Sequence, residues 1–312
     1  MSQAYGAAQF LSPASVGNGL YQSRAQSNYR SQTMSGNSLY RTIVAGWDGR
    51  YKNKNENVQN YLGLGGQIIS DQVMNGILQT NYATINAAYH MYFDEKMQKN
   101  FSLGLGASFI QSNLQLDKLK FYDQFSQGVF INNSQSISLQ NLNSSASKIS
   151  VNTGLLYTKH NENSFVQLSA NAFFMAKPEL TINNNAEASG FKSMVFFNFE
   201  KEVNDNKKTA LVHASYSNRN NIDQLLVGAA FSLPFGSYYE YVNRIYAGLF
   251  YRVGDAVIPQ VSILMKQYRF GISYDVYSRG MTGAVLNPNS FELSFSSSFG
   301  QKRSNNFRTI FD

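Results

Sequence analysis

The chain has 312 residues, of which 14% are aromatic and 14% charged, with no cysteine and a formal net charge of +7. Charged residues make up ~25% of an ordinary soluble domain; here Ser, Asn, Gln, Gly and Tyr supply the missing polarity, and mean hydropathy stays at -0.31. Disulfides and thiolate metal sites are excluded, no run approaches the ~18 uninterrupted apolar residues of a membrane-spanning helix, and the mixture suits strands with one lipid face and one lumen face.

Composition does not shift abruptly anywhere, so a single domain is expected. Residues 1–21 carry no periodicity and close on L-S-P-A-S-V-G-N-G-L-Y, whose Pro and Gly mark an ordered lead-in to the first strand. The opening M-S-Q-A-Y-G-A-A-Q-F has neither a basic nor an apolar signal-peptide region, so the signal peptide of an exported protein is expected to be absent from this sequence. Strands are predicted over residues 22–32, 39–48, 59–70, 78–92, 100–114, 147–158, 163–175, 189–200, 208–217, 223–233, 240–251, 256–267, 268–277 and 290–300, fourteen in all. The expected layout is an N-terminal segment at 1–21, a β-barrel over 22–300 and a periplasmic tail over 301–312.

The alternation is clearest where Phe101, Leu103, Leu105, Ala107 and Phe109 interleave with Ser102, Gly104, Gly106 and Ser108, and where Phe270, Ile272, Tyr274 and Val276 interleave with Arg269, Gly271, Ser273 and Asp275. A period of two puts one set on each face of a pleated strand. Val253-Gly254-Asp255 and the Lys266–Arg269 stretch leave too little chain for anything but antiparallel hairpins. Most predicted strands run 10–15 residues, enough for the ~9–11 tilted residues that cross a bilayer and longer than the ~5–6 of a soluble sandwich. An even count closes the sheet with both termini at one end. The fold expected is therefore all-β: a closed antiparallel transmembrane β-barrel of about fourteen strands with long extracellular loops.

Connections give a check on this count. The long ones at 115–146, 176–188 and 278–289 all follow odd strands, and the even ones are mostly short and charged, with 49–58 a longer exception. Tyr40, Tyr61, Tyr89, Tyr92, Tyr157, Tyr238, Tyr239, Tyr251, Tyr268, Tyr277 and Phe299 fall near strand ends, where interfacial aromatic girdles lie. Pro259 stands inside a strand, where it removes a ladder donor, and a bulge or local break is expected there.

Catalytic and cofactor signals are missing. L-G-L-G-G at 62–66 and L-G-L-G-A at 103–107 lie inside strands with no following helix, so they lack the N-terminus that binds a dinucleotide phosphate. Their glycines make room for a lumen side chain or another backbone. His90, His160 and His213 have no metal-ligand spacing. A barrel hydrolase would need a serine or aspartate beside a histidine at one membrane depth, and no nucleophile motif supports that. No cofactor, metal or nucleic-acid partner is expected; the positive charge is spread along the chain as solvated turn residues. The lumen side reads as a neutral lining of Ser, Gly, Asn, Thr and Gln.

The longest connection is the exception to this bland picture. Phe121, Tyr122, Phe125, Val129, Phe130 and Ile131 are too apolar for a merely solvated loop. Either the loop folds into the lumen as a plug or it meets a partner, with Phe121, Tyr122, Phe125 and Phe130 as the partner-binding candidates.

In order along the chain, Q-F-L-S-P-A-S-V-G at 9–17, N-Y-R-S-Q at 28–32, L-G-L-G-G-Q-I-I-S-D at 62–71, A-A-Y-H at 87–90, L-D-K-L-K-F-Y-D at 116–123, Y-R-V-G-D-A-V-I-P at 251–259, G-I-S-Y-D at 271–275 and F-E-L-S-F at 291–295 resemble the blocks of the PorP/SprF-type outer-membrane proteins of the Bacteroidetes type IX secretion and gliding system. The chain departs from that pattern at Ser12, where the family has Asn, at Ala172, where it has His, and in lacking a Cys-Pro near its end. The resemblance implies a non-enzymatic barrel in a Gram-negative outer membrane, in contact with its lipid and with other type IX components. It would bind, anchor or help export a secreted or surface protein of adhesin-like kind. A channel for small solutes is the other reading kept open.

Overall fold

The structure, a computed structural model, describes residues 3, 5–34, 37–51, 60–94, 96–126, 129–131, 136–137, 143–175, 190–203, 207–236, 243–277, 289–302 and 308–311. The first five strands are β1 (Ser23–Met34), β2 (Asn37–Tyr51), β3 (Tyr61–Val73), β4 (Leu78–Tyr92) and β5 (Lys99–Leu114). The connection after β5 carries a separate two-residue ladder, β6 (Phe125–Ser126) and β7 (Val129–Phe130). The sheet then continues through β8 (Ser145–His160), β9 (Ser164–Met175), β10 (Gly190–Glu202), β11 (Thr209–Arg219), β12 (Ile222–Phe235), β13 (Asn243–Arg252), β14 (Ala256–Met265), β15 (Tyr268–Tyr277) and β16 (Asn289–Phe299).

Apart from β6 and β7, each strand pairs with its sequence neighbour, and β1 closes on β16 in register from Ser23 opposite Phe299 to Thr33 opposite Asn289. The result is a closed antiparallel barrel of fourteen strands. All fourteen predicted strands are present, with every end within three residues of its expected place. No described helix is long and apolar enough to cross a membrane.

Side-chain parity sorts the two faces. Trp47, Ile68, Ile85, Leu105, Ile149 and Leu249 stand exposed on the outside, while Ser102, Ser108, Ser112, Asn152 and Ser169 are buried within. Tyr40, Tyr89, Tyr251, Tyr268 and Phe299 are exposed, whereas Tyr61, expected in the girdle, is buried in the lumen. It shares the inward parity of Gly63, stacks on His90 at 4.4 Å and donates from its hydroxyl to the Gly17 carbonyl at 3.2 Å. Tyr238 and Tyr239 lie outside the described residues.

Pro259 sits opposite Leu249 on the β13 side, but the ladder with β15 skips Ile258 and Pro259 and resumes at Gln260 opposite Ser273. The missing prolyl donor breaks one ladder locally without shifting its register.

The lumen is occupied by residues 5–21. There the chain forms a short helix, α1 (Ala8–Leu11), and a 3-10 turn over Pro13–Ser15. Ser12 caps that turn by accepting from the Ala14 amide at 3.1 Å, and Pro13 has no amide to leave unsatisfied. Three apolar clusters fix the segment: Ala7 with Val44 and Ile69, Ala14 with Leu156, Met194 and Phe196, and Tyr5 with Phe165, Phe250 and Ile258. The hydrophobic core is thus inside the barrel.

Two strand glycines explain how a chain fits so close to the wall. A Cβ on Gly63 would collide with the Val16 carbonyl, and one on Gly104 with the Ala14 backbone. The close approach expected of these glycines is made by the N-terminal segment.

The chain end also turns inward. Thr309, Ile310 and Phe311 are buried; Phe311 stacks on Phe165 at 5.7 Å, and the Ile310 amide donates to Glu200 at 3.1 Å.

The neutral lining expected from sequence is corrected by these occupants. Buried ion pairs join Arg24 to Asp48 at 3.1 Å and Arg252 to Asp275 at 2.7 Å, and buried Arg244 pairs with the partly exposed Glu202 at 2.9 Å. The acids also receive the segment's own amides: Asp48 from Gly17 at 2.8 Å and Glu292 from Gln3 at 3.2 Å. Charge is tolerated here because it is paired with other charge and with backbone donors.

Candidate functional site

Antiparallel winding puts every odd connection at the barrel end opposite the termini, here the loop end. Two features lie there, the connection from β5 to β8 and a cavity in the lumen.

The β5–β8 connection is tied to the rim through the Leu114 amide on Ser144 O at 2.8 Å and the Gln115 amide on Ile77 O at 2.9 Å. It then makes two 3-10 turns, Leu116–Lys118 and Tyr122–Gln124, before the β6–β7 ladder. Two side chains tie it together: Gln124 accepts from the Phe121 amide at 2.9 Å, and Asp123 accepts from Ser136 Oγ at 2.8 Å and the Ile137 amide at 3.0 Å. Around these hydrogen bonds several apolar side chains are left exposed. Tyr122 is 95% exposed, Ile137 72% and Val129 67%.

Of the four expected partner-binding residues, Tyr122 and Phe125 are exposed and Phe121 is half-buried. The Phe130 backbone pairs with Phe125, bringing these two positions side by side; its side chain lies outside the described residues. The lumen is filled by the N-terminal segment rather than by the described part of this loop. The long connections at 176–188 and 278–289 fall almost wholly outside the described residues.

The cavity has a volume of about 600 Å³. Its floor is Gln9, Phe10 and Pro13 of the N-terminal segment, and it reaches the rim at Arg219, Asp223, Val253 and Asp255, beside the β11–β12 and β13–β14 turns. Lys192 projects into it from β10, its ammonium 5.3 Å from the centre of the Phe10 ring and 5.4 Å from that of Phe173. Across the cavity Asp71 accepts from the Thr42 hydroxyl at 2.6 Å. The sequence reading missed Lys192, Arg219 and Asp71. A usable signal existed: in Phe191-Lys192-Ser193-Met194 the exposed Phe191 and buried Met194 fix the parity that turns Lys192 inward.

The histidines serve the packing. His90 places Nε2 2.7 Å from the Val16 carbonyl and Nδ1 2.6 Å from Ser102 Oγ. A serine beside a histidine is what a barrel hydrolase would need, but both residues are completely buried beneath the N-terminal segment, where no substrate could reach. His213 sits between Asn198 at 2.5 Å and Ser215 at 3.1 Å. Among the described residues no three potential metal ligands cluster. Tyr5, on the inserted segment, lies against Gln260 at 3.1 Å, and burial pushes its pKa up to about 12, so its hydroxyl remains a donor at neutral pH.

A family model described as the type IX secretion system membrane protein PorP/SprF matches residues 1–296. No curated protein matches the chain. Among solved structures, a deletion mutant of the monoaromatic hydrocarbon channel TodX is 10% identical, with a TM-score of 0.52 and 94% of each chain covered. A FadL homologue from Pseudomonas aeruginosa is 8% identical, with a TM-score of 0.50, over 96% of this chain and 98% of that one. At such identity the likeness is one of fold, that of an outer-membrane barrel.

Proposed function

The chain belongs to the PorP/SprF family of type IX secretion system membrane proteins, and from that premise we propose that it is a non-enzymatic outer-membrane barrel that binds a secreted or surface protein, adhesin-like cargo, and anchors it or assists its export. The loop end is then extracellular, and the end holding both termini faces the periplasm and other components of the system. The observation that carries this reading is the β5–β8 connection, whose internal hydrogen bonds leave Tyr122, Phe125 and Val129 exposed. Apolar surface costs roughly 25 cal/mol per Å² to leave in water, and protein partners are usually anchored by a few aromatic residues.

Replacing Phe121, Tyr122, Phe125 and Phe130 together by Ser should leave a heat-modifiable, membrane-inserted barrel and abolish recovery of the surface protein in a pull-down from native membranes. Undiminished recovery would move the binding site elsewhere. The alternative, a small-solute channel, is disfavoured by the buried N-terminal segment that occupies the lumen.

A further inference from the structure

Four lumen arginines are given carboxylates. Arg24 has Asp48, Arg30 and Arg252 share Asp275, and Arg244 has Glu202, all at 3.1 Å or less. Lys192 differs from these four: it is half-buried, it faces the cavity, and among the described residues no carboxylate forms an ion pair with it. Its ammonium rests instead over the faces of Phe10 and Phe173. Ring faces attract a cation without neutralising it, so the open side of the ammonium retains a demand for a counter-charge. Arg219, on the same cavity wall, adds a second cation. The three acids of the lining have partners of their own: Asp71 accepts from Thr42, Asp223 from Tyr216 and Asn218, and Asp255 pairs with Arg252.

The remaining wall is of another kind. Ile69, Ile110 and Tyr82 give it an apolar side, while Gln67 and Asn152 offer amide groups. A volume of about 600 Å³ falls within the ~300–1,000 Å³ of cavities that take small molecules, which combine an apolar lining with a few fixed polar groups.

We propose that this cavity is a binding site for a small carboxylate with an apolar body, its carboxylate held by Lys192 and Arg219 and its body packed on Phe10, Phe173 and Ile69. The site faces the loop end, so its ligand arrives from that side. Its floor belongs to the N-terminal segment, so a bound ligand would also hold Phe10 in place. The inference does not depend on the cargo reading, since it rests on the cavity and not on the β5–β8 connection.

The test compares 4-phenylbutyrate with its neutral isostere 4-phenylbutanamide by isothermal titration calorimetry on the purified full-length barrel at pH 7, with empty detergent micelles as the blank. The acid should bind about tenfold or more tightly than the amide, the scale of one charge-assisted contact. Lys192→Met should remove most of the acid's advantage while leaving the amide unchanged, with Arg219 retaining the remainder, and Lys192→Arg should keep most of the preference. Heat-modifiability on a gel shows whether each variant has folded; if Lys192→Met fails to fold, the acid-to-amide ratio on the native barrel decides alone. Equal affinities, no binding of either probe, or full acid affinity in a folded Lys192→Met barrel overturns the proposal.

Discussion

At the scale of single residues, contact between strand wall and inserted segment is set by what is absent from the wall. Gly63 and Gly104 clear space for the backbone at Val16 and Ala14, and Gly17, at φ +73°, turns the segment so that its amide meets Asp48. Gly63→Val would drive a branched side chain into the Val16 carbonyl, and overpacking of this kind costs ~1–3 kcal/mol. The expected outcome is a lower urea midpoint together with faster proteolysis within residues 5–21. Gly19→Ala is the control, since nothing lies within 4 Å of the added Cβ, and its midpoint should not move. If Gly63→Val proves as stable as Gly19→Ala, the close approach is not what holds the segment. The need for room at these glycines was legible from their place inside strands. What occupies the room was not, because a contact between residues 16 and 63 leaves no period in the sequence.

At the scale of elements, the strands were readable because each writes a two-residue period over ten or more residues, as Phe101–Phe109 do with their interleaved serines and glycines. Residues 5–21 have no such period. Their helix is four residues long and their turn three, too short for an apolar stripe to repeat, so their burial comes from tertiary contact alone. Tyr61 was misplaced for a related reason: aromatic character near a strand end suggested the interface, whereas parity with Gly63 decides the face. Pro259 shows local chemistry surviving into the sheet. Pro259→Val on that exposed position should restore the missing ladder rung with β15, at the ~0.5–1.5 kcal/mol net value of a hydrogen bond. Hydrogen exchange would then show protection at position 259 and slower exchange at Tyr274; exchange at Tyr274 as fast as in the parent would mean that the break has another origin.

For the whole molecule, strand number sets a filling problem. Eight strands enclose a lumen that side chains alone can fill, and sixteen to eighteen leave an aqueous channel; fourteen lie between, too wide for side chains and needing an inserted segment if the barrel is to be sealed. Here the seal comes from both chain ends. Tyr5, Leu11 and Ala14 enter from one, Ile310 and Phe311 from the other, and they meet the apolar wall of Phe165, Leu156 and Phe250. This also accounts for the charge that the sequence reading did not place in the lumen: Asp48, Glu200 and Glu292 are partners for inserted backbone at Gly17, Ile310 and Gln3. A sealed barrel should carry no steady current in a planar bilayer. Deleting residues 3–21 removes the apolar half of the seal and leaves the polar groups of Asn28, His90, Ser102 and Glu292 facing open space, which water would fill. Steady conductance is therefore expected from the deletion variant and not from the parent. A parent barrel that conducts as steadily as the variant would mean that the segment leaves its place readily, and would turn the balance toward solute passage. A silent variant that retains heat-modifiability would mean that the strands' own side chains, with residues 308–311, close the lumen unaided.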